Sequence, residues 1–157
     1  MLDVLIIAIG KIKENFYREA IHEYLKRLTP YAKIKLIELK AEPFKNHQDK
    51  LKSKKIESER ILQTLNNYLN DKIFILDERG RQLTSIQFAQ EIKKLQSQKI
   101  VLVIGGALGW SEAILNNQKF DFLSLSLMTL PHELARVILV EQLYRSVCLI
   151  TNKDYHY

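Results

Sequence analysis

At 157 residues, with 46% hydrophobic and 27% charged side chains, the chain has the length and balance of one soluble globular domain with a real core. Its longest apolar runs are strand-length or broken by charge, which excludes a membrane span, and its single cysteine, Cys148, excludes an intrachain disulfide or a multi-cysteine metal cluster. The net charge of +6 suits a polyanionic partner such as RNA without requiring one.

Leu2 to Ile9 is an almost continuous apolar run, the pattern of a strand buried on both faces of a parallel sheet. Asp3 interrupts it, no basic region precedes it and no small-residue cleavage pattern follows, so it reads as a first strand of a cytoplasmic protein rather than a signal segment. Phe16, Tyr17, Ala20, Ile21, Tyr24, Leu25 and Leu28 recur at helical spacing, and Thr29-Pro30 stops that helix. Lys33 to Lys40 alternates charge with Ile34, Leu36 and Leu39, as a half-exposed strand does. Ala41 to Lys55 is lysine-rich and without early periodicity. It reads either as a surface loop leading into a solvated helix or as a phosphate-contacting arm. A helix continues through Ile56, Ile61, Leu62, Leu65 and Leu69.

Lys72 to Leu76 is a third strand, with Asp77-Glu78-Arg79-Gly80 expected to turn out of it. Thr84 or Ser85 caps a helix running to Leu95. Lys99 to Ile104 is a fourth strand, closed by Gly105-Gly106-Ala107-Leu108-Gly109, and Ser111 is the expected cap of a short helix. A fifth strand, Phe122 to Leu127, leads through Met128, Thr129 and Leu130 to Pro131 and His132. Pro131 is expected at the first position of a long helix, where its missing N–H is harmless. Strands alternating with helices make this a single α/β domain, residues 1–157, with a mainly parallel sheet. The last helix is apolar on nearly every side, so it must pack on the sheet and on something more, such as a second subunit.

Three strand ends could converge on a ligand: Leu76 through Gly80, Gly105 through Gly109, and Leu125 through Leu130. GGALG is not a dinucleotide fingerprint, no P-loop or H-E-x-x-H is present, and the four histidines have no metal spacing. His132, at the helix entrance, is the histidine best placed for chemistry, and Arg136 shares its face.

VIGGALG, then LSLSLMTLPHELARVILVEQLYR, then the terminal TNKDYHY closely resemble the RlmH (YbeA) family of SPOUT-class methyltransferases over essentially the whole chain. The LPHxLxR and EQLYR pairing is its most specific part. The resemblance implies an α/β knot, a five-stranded, mostly parallel sheet whose C-terminal segment is threaded, in a homodimer joined by the knot helices. It implies methyl transfer from S-adenosyl-L-methionine to N3 of pseudouridine 1915 in helix 69 of 23S rRNA, on the assembled 70S ribosome, without a metal. The implied cofactor pocket is Leu76, Gly105, Leu125, Ser126, Leu127, Met128, Thr129 and Leu130, with Asp77 and Glu78 near the cofactor's positive end. His132 and His156 are the candidates for base or proton relay, and Arg136 for steadying an anion. Lys11, Lys13, Arg136 and Arg145 are the implied RNA contacts, with Tyr155 placed to stack on a base. The competing reading is a basic RNA- or ribosome-binding module that keeps the fold and has lost catalysis.

Overall fold

Leu2–Ile9 forms the first strand, β1, and lies at the centre of the molecule because both of its faces are apolar. Val4, Ile6 and Ala8 point into one half of the core, and Leu5, Ile7 and Ile9 into the other. The computed structural model describes residues 1–155. After β1 come α1 (Asn15–Leu28), β2 (Ala32–Leu39), α2 (His47–Leu65), a short 3-10 turn (Asn66–Tyr68), β3 (Lys72–Gln82) and α3 (Ser85–Lys94). The chain continues as β4 (Lys99–Ile104), α4 (Glu112–Leu115), β5 (Asp121–Ser124) and α5 (His132–Ile150).

The sheet has the order β2-β1-β4-β3-β5, and every neighbouring pair is parallel. One face carries α1, α3 and α5, with Ile21, Phe88, Leu139 and Leu143 in its core. The other carries α2 and α4, with Ile61, Leu65, Trp110 and Ile114. All five strands therefore deliver their C-terminal ends to one edge, where ligands of parallel α/β sheets sit. No helix of the described residues is long and apolar enough to cross a membrane.

Local chemistry explains where the elements depart from the periodicity. The lysine-rich segment is already helical from His47, because Asn46 caps α2 by accepting from the Asp49 N–H at 2.9 Å. Thr84 caps α3 as expected, in a reciprocal capping box with Gln87. Ser111 makes no side-chain cap; its backbone N–H instead donates to Ser58 Oγ at 3.1 Å. Pro131 stands one residue before the first helical residue of α5, in an extended conformation. β5 stops at Ser124 rather than Leu127. There Ser124 Oγ donates to the Ser126 carbonyl and Ser126 Oγ accepts from the Met128 N–H, so side chains replace the ladder.

Residues 77–80 are an excursion within β3 rather than its end. Leu76 pairs with Leu123, and after the excursion Arg81 pairs with Leu123 and Gln82 with Ser124. Gly80 makes this possible by lying against the backbone of β5. A Cβ there would stand 2.6 Å from Leu123 N and 2.6 Å from Phe122 C. Gly80→Ala is therefore expected to lower stability by about 2 kcal/mol, read from the urea midpoint at constant m-value. An unmoved midpoint would mean that this crossing is not closely packed in solution.

Candidate active site

The excursion in β3, the ends of β4 and β5 and the start of α5 border a cavity of about 630 Å³. Leu76, Leu108, Leu125, Leu130 and Trp110 supply apolar wall, and Gly105, Ser126, Met128, Thr129 and His132 complete the expected lining. Trp110 is the keystone. Its indole N–H donates to the Leu76 carbonyl at 3.0 Å, and its ring lies 3.0 Å from where a Gly105 Cβ would be. A side chain at Gly105 would press on the Trp110 ring, and Gly109 holds a φ of +69° that favours glycine. Leu127, at 76% exposure, is the one residue of the expected cofactor segment outside this lining.

The cavity mouth is acidic but internally braced. Arg79 donates to both carboxylate oxygens of Asp77, at 2.8 and 2.9 Å, and so holds that carboxyl below its ordinary range. Thr129 Oγ1 donates to Glu78 Oε2 at 2.7 Å, tying the β3 excursion to the loop before α5.

His132 stands at the boundary between this cavity and a second one of about 600 Å³, and Gly106, Ala107 and Leu108 share that boundary with it. Burial lowers the pKa of His132, with the cations Arg136 and Lys13 pushing the same way and Glu133 opposing. The imidazole is accordingly neutral at neutral pH. Glu133 is turned towards α1, where its Oε2 accepts from the backbone N–H of Lys13 (3.0 Å) and Glu14 (3.3 Å), capping a helix that lacks its own side-chain cap.

The remaining expected site residues separate. Lys11 and Lys13 line the second cavity and are exposed. Arg136 does not face solvent: it is 0% exposed, donating to Glu38 Oε1 at 2.6 Å and to the Gly10 carbonyl at 3.0 Å. A guanidinium so enclosed braces the loop after β1 and cannot reach an RNA phosphate in this arrangement. Arg145 lies on a later part of α5 and Tyr155 beyond its end; both are bonded to Glu141, and Arg145 stacks 4.3 Å over the Tyr155 ring. In the same protomer, therefore, neither joins His132. His156 lies outside the described residues.

Three contributors escaped the sequence reading. Trp110 was signalled by being the sole tryptophan, one residue beyond the glycine loop. Glu57 and Ser58 sit in the lysine-rich helix. Ser53, Glu57, Ile61 and Leu65, four apart, all fall on its buried face, and an acid on such a stripe marks a structural or binding carboxyl.

The family model described as "Predicted SPOUT methyltransferase" matches residues 2–156. The chain belongs to the SPOUT methyltransferase family. Among relatives of this SPOUT methyltransferase, proteins named "Ribosomal RNA large subunit methyltransferase H" are 40% identical in Acetivibrio thermocellus, with 98% of each chain covered. Identity is 42% in Natranaerobius thermophilus, over 97% of this chain and 98% of that one. The fold is also that of a solved probable methylase family protein from Haemophilus influenzae. The TM-score is 0.55 at 14% identity, covering 98% of this chain and 71% of the other. A Bacillus anthracis protein provisionally described as an RNA methyltransferase gives a TM-score of 0.51 at 12% identity over the whole of both chains. In this SPOUT methyltransferase the strand ends that the sequence nominated do meet, and His132 is the titratable side chain on their common boundary with the neighbouring cavity.

Proposed function

We propose that the protein methylates large-subunit ribosomal RNA, transferring the methyl of S-adenosyl-L-methionine to N3 of pseudouridine 1915 in helix 69 of 23S rRNA. The observation that carries this reading is the position of His132, a neutral imidazole on the wall shared by an apolar cavity and a lysine-rimmed one. The first cavity suits the methyl donor: it is large enough, has apolar walls for an adenine, and needs no phosphate loop. Leu76, Gly105, Trp110 and the run Leu125, Ser126, Met128, Thr129 and Leu130 would hold the donor, with Asp77 and Glu78 near its positive end. When bound, it supplies an electrophilic methyl on a sulfonium.

The chain's own tasks are orientation and proton removal. The acceptor N3–H must lose its proton before or during attack, and His132 is placed to receive it. His156, in the tail, is the second candidate for that relay. Arg136 acts indirectly, by fixing the Gly10 carbonyl and hence the loop that carries Lys11 and Lys13. The exposed Leu127 (76%), Met128 (77%) and Leu149 (41%) support a homodimer in which α5 and the preceding loop are covered. The close crossing at Gly80 is compatible with the threaded C-terminal segment of a knot. The substrate in this reading is the assembled 70S ribosome in the cytoplasm, as the family resemblance implies.

The test is transfer of labelled methyl to ribosomes lacking the modification, with isolated large subunits and free rRNA assayed alongside. Label mapped to N3 of the helix 69 pseudouridine, strongest on 70S particles, is the expected result. Cofactor binding without transfer to any of the three would redirect the reading to another RNA. Absence of cofactor binding as well would favour a non-catalytic RNA-binding module.

A further inference from the structure

The second cavity lies beyond the ends of β1 and β2, and nothing in the first cavity's chemistry accounts for its lining. Lys11, Lys13 and Lys40 are exposed on it, and none of the three forms an ion pair among the described residues. Two of its acids are paired with arginines, and the third, Glu57, is buried and bonded through one oxygen only. Glu38 pairs with Arg136, Glu42 pairs with Arg60 at 2.6 Å, and Glu57 Oε1 accepts from the Glu42 N–H at 2.9 Å. The uncompensated charge presented to a ligand is therefore positive. Phe44, 40% exposed, contributes an aromatic face to the same lining.

The floor holds an anomaly. Glu57 is only 4% exposed, yet its Oε2 has no hydrogen-bond partner. Such a group is destabilising unless something donates to it. Oε2 is 2.9 Å from the position a Gly106 Cβ would take, so it reaches the wall that the two cavities share. Burial also raises the pKa of this carboxyl.

We propose that this second cavity is the acceptor-nucleotide site, where an RNA base stacks on Phe44, its phosphates meet Lys11, Lys13 and Lys40, and a base N–H donates to Glu57 Oε2. The proposal rests on the methyltransferase reading and adds to it the residues that select and seat the substrate. Its physical basis is that a transfer between two bound molecules needs two adjoining sites with a common wall, and these two cavities share theirs at His132 and Gly106–Leu108. A positive rim with an aromatic platform suits single-stranded RNA, and a buried unpaired acceptor adds base selection.

The test uses the full-length protein with Phe44→Ala, Glu57→Gln and the double reversal Lys11→Glu/Lys13→Glu. Binding of the dye-labelled protein to 70S ribosomes lacking the modification is followed by anisotropy, and methyl transfer is measured separately. Fluorescence of the sole tryptophan, Trp110, which lines only the first cavity, reports binding of the methyl donor. Phe44→Ala is expected to weaken ribosome binding about tenfold. The double reversal should weaken it and flatten its salt dependence. Glu57→Gln should reduce transfer several-fold and raise the KM for ribosomes. All three should bind the donor as the parent does. Ribosome affinity, salt slope and KM unchanged in every variant would overturn the proposal while leaving the methyltransferase reading intact. If the parent transfers no methyl, that reading fails on its own, and the anisotropy series still decides the site. A parent that does not bind these ribosomes would also overturn it.

Discussion

Arg136→Ala is expected to lower the unfolding free energy by about 3 kcal/mol, equivalent to a Tm lower by roughly 6–12 °C for a domain of this size. Arg136 is fully buried, and its guanidinium joins three separate elements: α5 through its own backbone, β2 through Glu38, and the end of β1 through the Gly10 carbonyl. Alanine leaves a void where the long stem was, and deprives the Gly10 carbonyl of its donor. Glu38 retains 29% side-chain exposure and can recover some hydration, which keeps the loss at the lower end of the range for a broken buried pair. Arg136→Met restores most of the volume without the charge and should recover part of the loss. It also separates bracing from RNA contact. A brace leaves the slope of RNA affinity against salt unchanged in the folded Met variant, whereas a phosphate contact would reduce that slope by about 0.7. A Met variant as stable as the parent but with a flattened slope would return Arg136 to the RNA-contacting role inferred from its spacing.

His132→Ala should reduce single-turnover methyl transfer by about 100- to 10,000-fold at saturating donor and RNA, the range for loss of a positioned general base. The pH profile adds an independent mark. Because burial lowers the His132 pKa, the acidic limb of the parent's profile should have its midpoint below 6.5, with a plateau at neutral pH. The variant should lose that limb. A rate unaffected by the substitution, or an acidic limb that survives it, would move the proton acceptor to another group, with His156 the next to examine. Stability follows the same sign. The unfolded chain binds the proton more readily than the folded one, so this contribution is complete above the unfolded value of about 6.5. It declines as pH falls from there through the lower folded value.

Much of this arrangement is legible in the chain. The apolar run Leu2–Ile9 announces a strand covered on both faces and the run Lys99–Ile104 a further strand, and they pair side by side within the sheet as β1 and β4. GGALG and the segment ending in LPH mark two strand ends, and the parallel topology implied by alternating strands and helices puts such ends on one edge. The DERG excursion was not legible as such. Polar residues with a glycine signal a turn, and only the register across β5 shows the chain resuming as strand at Arg81.

His132 and Arg136 mark the limit most clearly. Their spacing places both on one face of α5, and the sequence goes no further. The pairing of α5 with the ends of β1 and β2 leaves His132 at a cavity wall and encloses Arg136 beneath the Gly10 carbonyl, so one is available for chemistry and the other for bracing. Glu57 divides in the same way: a solvated helix is the natural reading of its lysine-rich surroundings, and its burial against Gly106 exists only once α2 has packed on the sheet. By itself the sequence determined the α/β class, the strand ends that form the site and the residue types available there, because periodicity and turn chemistry act over a few residues. Tertiary structure alone decided which of those side chains meet, which are enclosed and which cavity each faces, because these follow from contacts between residues some fifty to a hundred and thirty positions apart, as in Ser111–Ser58 and Arg136–Gly10.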